Sequence, residues 1–222
     1  GWPQASNEGT DKGKISCSGT GWSYDSGTET LVLMNTSYYD FSSTHPQDTE
    51  NGKPTTEPVK CAIQSRACIT GGTFEGTVTN KTGGGAISDG IFKGSVENSS
   101  LIKGGTFEGS VTNYSDIEKG TFKGEVKNHN GTISGGKFEG TVINDVNGTI
   151  SDGTFNKEVS NINGNIYNGT FNETVTNDAG GTIYGGTFAG GVNNKNDRIY
   201  GGVFNGNATL TNVTGLHSIT VA

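Results

Sequence analysis

From Ile69 onward, apolar and polar positions recur as Ile-x-x-x-x-Phe-x-x-x-Val-x-Asn, nine times over. Ile69, Ile87, Ile102, Ile117, Ile133, Ile150, Ile166, Ile183 and Ile199 are each followed five residues later by a phenylalanine, from Phe74 to Phe204. Repeat length wanders between 15 and 18 residues while the Ile-to-Phe spacing stays fixed, so the insertions belong to one loop outside a constant strand pair. Self-similarity at such a period predicts a single-stranded parallel β-solenoid, an all-β chain whose thin core is made by stacking coils. At strand spacing, nine coils make a rod of roughly 43 Å.

Alternation along a strand assigns faces within a coil. Phe74, Gly76, Val78 and Asn80 read as inward, with Glu75, Thr77 and Thr79 outward. Ile69 is out of step with that face, so the Gly71-Gly72 pair should turn the chain between two strands, where glycine accepts a positive φ. Asparagine follows valine by two at Asn80, Asn98, Asn113, Asn128, Asn144, Asn161, Asn177 and Asn194, which predicts an inward ladder of amides bonded from coil to coil. The ninth coil breaks the column, with Ala208 at the valine position and Leu210 at the asparagine position.

All four prolines and all three cysteines precede Ile69. That break divides the chain into residues 1–68, N-terminal strands and cap, and 69–222, the solenoid repeats. In the first part, residues 21–25 and 28–33 alternate like a strand pair joined at Ser26-Gly27, and the polar stretch 42–60 reads as a long exposed loop. A cap is needed because an uncovered solenoid end is an open sheet edge. Towards the other end, Leu210, Val213, Leu216, Ile219 and Val221 keep strand-like content without the repeat phase.

Glycine supplies 38 of 222 residues and only 29% are hydrophobic, which is compatible with folding because the apolar residues fall in register. A net charge of −7 with two arginines lacks the clustered basic footprint of a nucleic-acid binder. No apolar run is long enough for a membrane-spanning helix, so no membrane insertion is expected. The start at Gly1-Trp2-Pro3 reads as that of a mature fragment. Cys17, Cys61 and Cys68 leave at least one thiol over, and Cys17–Cys61, Cys61–Cys68 or simple burial in the cap all remain open.

Candidate chemistry is sparse. The position after phenylalanine reads Glu75, Lys93, Glu108, Lys123, Glu139, an alternating ladder of opposite charges and a poor general acid–base pair, because a lysine stands between successive carboxylates. Asp89 and Asp152 share a corner position but lie four coils apart. His45, His129 and His217 fall in unrelated phases and no Cys/His spacing resembles a metal site, so no catalytic residue, metal or cofactor is assigned. The column after isoleucine ends in Tyr167, Tyr184 and Tyr200, an outward aromatic strip of the kind that holds sugar rings, with Asn168, Thr170, Asp197 and Arg198 as polar neighbours. The competing reading is a tyrosine ladder that only reinforces strand stacking. A threonine column through Thr73, Thr106, Thr121, Thr154, Thr170 and Thr187 raises ordered-water or ice binding, which the interruption at Lys137 disfavours. Asn-x-Ser/Thr sequons such as Asn80, Asn98 and Asn113 fall on the inward column and are read as turn chemistry.

Repeats such as Thr132-Ile133-Ser134-Gly135-Gly136-Lys137-Phe138-Glu139-Gly140-Thr141-Val142 resemble the degenerate parallel β-helix repeats of large secreted or wall-anchored surface proteins of Gram-positive bacteria. The upstream Gly21-Trp22-Ser23-Tyr24-Asp25 and Thr30-Leu31-Val32-Leu33 resemble the opening strands of that class. The resemblance implies an extracellular, cell-surface or cell-wall location and an adhesin-like role, and it supplies no catalytic residues. The expectation is therefore a rigid stalk or adhesive module without chemistry, meeting a host or cell-wall glycan or a surface protein, or another copy end to end. Carbohydrate binding along the tyrosine strip is the alternative. A polysaccharide-active enzyme of the pectin-lyase type comes third, because the insertions, such as Lys81 to Gly85, are short.

Overall fold

In the computed structural model, residues 63–205 are described in full except 67, 84, 196 and 197; outside that span the description covers the backbone of the strands alone. The described chain is a parallel β-solenoid with three sheets along its length, one of thirteen strands and two of ten. Each coil contributes one short strand to each sheet. In the second coil these are Ala86–Ile87, Ile91–Phe92 and Val96–Asn98. Like pairs with like: Ile87 lies beside Ile102, Phe92 beside Phe107, and Val96 and Asn98 beside Val111 and Asn113. The repeat columns converge on the axis, and every Ile, Phe and Val of the columns from Ile69 to Phe204 is at most 2% exposed.

Three strands per coil, rather than two, correct the sequence reading at Gly76. The backbone bends there, between Thr73–Phe74 and Val78–Asn80, so Phe74 to Asn80 is not one strand. A Cβ at the equivalent Gly94 would lie 2.3 Å from the Gly76 carbonyl oxygen, so neighbouring coils approach too closely for a side chain. Lys157 and Glu173 occupy the same repeat position and are exposed, which identifies it as a corner and not an inward site.

The corner between the isoleucine and phenylalanine strands follows expectation. Its second residue is glycine in all nine coils from Gly72 to Gly202, with φ between 106° and 147°, a region closed to most side chains.

Between Ile69 and Ile199 the variation in coil length lies between the asparagine and the next isoleucine, and the described turns carry it in characteristic conformations. The 15-residue coils pass directly through Ser99-Ser100 and Tyr114-Ser115. The next length up inserts a left-handed asparagine, Asn130 or Asn163, each at φ 57°. Longer turns have positive φ at two central residues, Val146 and Asn147 or Ala179 and Gly180. They are closed by Gly148 N–H to Asp145 C=O at 2.8 Å and Gly181 N–H to Asp178 C=O at 3.0 Å, the signature of a type I′ turn.

At the N-terminal side the thirteen-stranded sheet continues through Ala62–Ser65 and Thr30–Leu33 and then turns antiparallel through Trp22–Asp25 and Ser16–Gly19. Residues 22–25 and 30–33 are thus the expected strand pair. Ile63 pairs with Val78 and Ser65 with Asn80, so the column register begins six residues before Ile69. Within the stretch read as a loop, Thr49–Glu50 pairs with Lys53–Pro54; the remainder lies outside the described residues. Cys68 is a free, half-buried thiol, which removes Cys61–Cys68 from the open pairings; the side chains of Cys17 and Cys61 lie outside the described residues.

At the C-terminal side, Leu210 pairs with Val192 and so takes the valine position, not the asparagine position assigned from spacing. Two extra residues between Phe204 and this strand move the register. Val221 then pairs with Phe204, opening a further coil.

Candidate functional site

The inner columns account for the rod's cohesion. Each of the eight asparagines is 0% exposed, and from Asn80 to Asn177 each Nδ2 donates to Oδ1 of the asparagine one coil later at 2.7–2.8 Å. From Asn98 to Asn177 the second amide hydrogen goes to a backbone carbonyl in the following turn, as in Asn128 to Gly131 at 2.9 Å and Asn144 to Gly148 at 3.0 Å. Complete pairing is what allows a polar amide to sit in an apolar core. The column's early end is different: Asn80 Oδ1 is buried without a partner. Sequons at Asn80, Asn98 and Asn113 are sealed inside this ladder. Beside it the nine phenylalanines stack at 4.7–5.0 Å between ring centroids.

Any ligand must therefore meet the outer surface, whose character changes along the rod. In the earlier coils the column after phenylalanine carries ion pairs, Glu75–Lys93 at 3.4 Å and Glu108–Lys123 at 3.0 Å. The alternating ladder is only half formed. Glu139 pairs with Lys137 of its own coil, whose hydrogen bond and charge hold the Glu139 carboxyl below its ordinary value. In the later coils the same column becomes neutral, with Asn172 Nδ2 donating to Asn156 Oδ1 at 2.8 Å. Asp89 and Asp152 each accept the N–H of the next residue, Gly90 or Gly153, at 2.8 Å, which gives both a structural role at the corner.

The tyrosine strip lies on the outer face of the isoleucine sheet. Tyr167 and Tyr184 stack at 4.6 Å with 4° between planes, and Tyr184 and Tyr200 at 5.3 Å with 16°. Their backbone N–H groups donate to Ile150, Ile166 and Ile183 of the preceding coils at 2.7–2.8 Å, which fixes the register of the rings. Because the rings lie face to face along the rod, Tyr184 has both π faces covered and shows solvent its edge. Asn168, Thr170 and Arg198 are exposed on the same later coils, and Asp197 lies outside the described residues.

One constellation was not singled out by spacing. His129 Nδ1 meets Asp145 Oδ1 at 2.8 Å, and the rings of Tyr114 and His129 meet in a T-shaped pair at 5.7 Å and 79°. The three residues each follow a ladder asparagine directly, so consecutive coils align them. The same column pairs Asp178 with Lys195 at 2.8 Å. That lysine's hydrogen bond, helped by the Ala179 N–H, holds the Asp178 carboxyl below its ordinary value against the effect of burial. Among the described residues no three His, Cys, Asp or Glu side chains gather as a metal site would require. Comparison with protein-family models, curated proteins and solved structures gave no match.

Proposed function

We propose that this chain is a rigid, non-catalytic segment of an extracellular bacterial surface protein, a stalk or adhesive module whose working property is its stiffness. The observation that carries the reading is the continuity of five parallel devices from coil to coil: three backbone ladders, the amide column and the phenylalanine stack. Each joins a coil only to its neighbours, so length scales with repeat number and bending must disturb all five at once. The resemblance of the repeats to those of wall-anchored Gram-positive proteins supports the extracellular setting.

Single-molecule pulling between cysteines introduced at Thr73 and Val203 tests this. A stalk should resist and then unravel coil by coil, each 15–18-residue coil releasing about 50–60 Å of chain. Collapse in one low-force event would sink the stalk reading.

Carbohydrate binding at the tyrosines is the second reading, favoured by the stacking of three tyrosine rings on the outer surface of the later coils, with Tyr167 and Tyr184 exposed. A glycan array probed with the chain and with a Tyr167→Ala/Tyr184→Ala/Tyr200→Ala variant of unchanged circular dichroism separates the two readings. Binding that disappears in the variant supports a lectin-like module. Silence from both leaves the stalk.

A further inference from the structure

The outer column that follows the isoleucines changes abruptly at one step. Coil by coil it reads Glu118, Ser134, Ser151, Tyr167, and the backbone bonds Ser134 N–H to Ile117 C=O at 2.8 Å, Ser151 N–H to Ile133 C=O at 2.7 Å and Tyr167 N–H to Ile150 C=O at 2.8 Å hold these four in one line. Tyr167 is 49% exposed and has a ring neighbour on one side, Tyr184. Its other face looks along the rod over Ser151, whose side chain is too short to cover a phenol ring. Two serines, Ser151 and Ser134, thus form a floor between Tyr167 and Glu118, which stand three coil steps, about 14 Å, apart in this column.

Rests for polar groups flank this floor. Thr132 and Thr149 precede the two central isoleucines on the same outward side, Asp152 stands exposed at the adjoining corner, and Ser134 Oγ already donates to the Ile117 carbonyl at 3.2 Å.

Resting on the carbohydrate reading above, we propose that the free face of Tyr167 is the binding site, and that its ligand is a single neutral hexopyranose residue of a longer glycan. An apolar CH face of the sugar takes the place of the next ring in the stack, since the aromatic face carries the negative end of a quadrupole that attracts C–H groups. The sugar's hydroxyls meet Ser151, Thr149 and the acceptor Asp152. A planar aromatic partner would leave that polar floor unused, and an acidic sugar would set its carboxylate against that of Asp152. Tyr184 is the support that holds Tyr167 upright, and neither it nor Tyr200 touches the sugar.

The test uses the full chain and the methyl glycosides of glucose, galactose and mannose as NMR probes. At least one should show upfield ring-current shifts of its CH protons on binding. Those shifts should vanish in Tyr167→Ala and in Ser134→Tyr/Ser151→Tyr, which extends the tyrosine ladder over the floor, with affinity reduced by at least about tenfold. Tyr200→Ala should bind as the parent does. Retained binding in the double tyrosine variant, or equal loss in Tyr200→Ala, would overturn the terminal-face site while leaving a sugar-binding strip. No shift with any of the three glycosides would overturn the site itself, and a silent glycan array would remove the carbohydrate reading with it.

Discussion

Val146 is the residue at which the local chemistry fits least well. It occupies the first central position of a type I′ turn at φ 30°, where a β-branched side chain is crowded, and it is 41% exposed. The shorter turns place Asn130 and Asn163 in the left-handed region, and asparagine accepts it at little cost. Val146→Asn should therefore raise the melting temperature, by a stability gain of up to about 1 kcal/mol; a lower melting temperature would mean that Val146 makes a contact worth more than the strain. Asp178 makes a second residue-scale prediction. Its folded carboxyl sits below the ordinary value because Lys195 bonds it, so the unfolded chain binds the proton more readily. The resulting stabilisation is present above the ordinary carboxylate range and is lost as pH falls through the depressed folded value. Between pH 7 and pH 3 the parent should accordingly lose slightly more melting temperature than Asp178→Asn, slightly because the pair is exposed to solvent.

At the scale of the element, the asparagine column is the test of what holds coils together. Asn128→Ala removes an acceptor from Asn113 and a donor from Asn144, leaving two buried polar groups unpaired at about 1–3 kcal/mol each. Asn80→Ala breaks one ladder bond and also removes an oxygen that already lacks a partner. Denaturant unfolding should show Asn128→Ala as clearly the more damaging, and equal losses would mean the ladder adds little beyond packing. This column was readable beforehand because a fixed spacing from valine left the amides nowhere else to go. The corner at Gly76 was not, since Phe74, Gly76 and Val78 repeat every second residue as a strand does, and a glycine has no side chain to report which way it points. The informative residues were Lys157 and Glu173, charged side chains at a position that an inward reading cannot accommodate. The turns hid for another reason: Asn, Val, Ala and Gly all serve as left-handed residues, so composition there does not reveal geometry. At the candidate site the tyrosine column was legible from spacing, but the burial of its ring faces against one another depends on the side-chain torsions.

At the scale of the whole molecule, stability should be graded along the axis, because the ladders and stacks that join coils link each one only to its immediate neighbours. Hydrogen exchange measured by mass spectrometry should find the slowest amides in the central coils, around Phe122 and Phe138, with protection falling towards both ends. Uniform protection would instead mark one all-or-none unit. The asparagine column has one more consequence, an electrical one. Each of the seven links from Asn80 to Asn194 runs the same way, Nδ2 towards the later coil and Oδ1 towards the earlier, so the amide dipoles add along the rod. As with the peptide dipoles of a helix, aligned units add. The column is thus negative at Asn80 and positive at Asn194, and the rod has a polarity that its outer charges do not reveal.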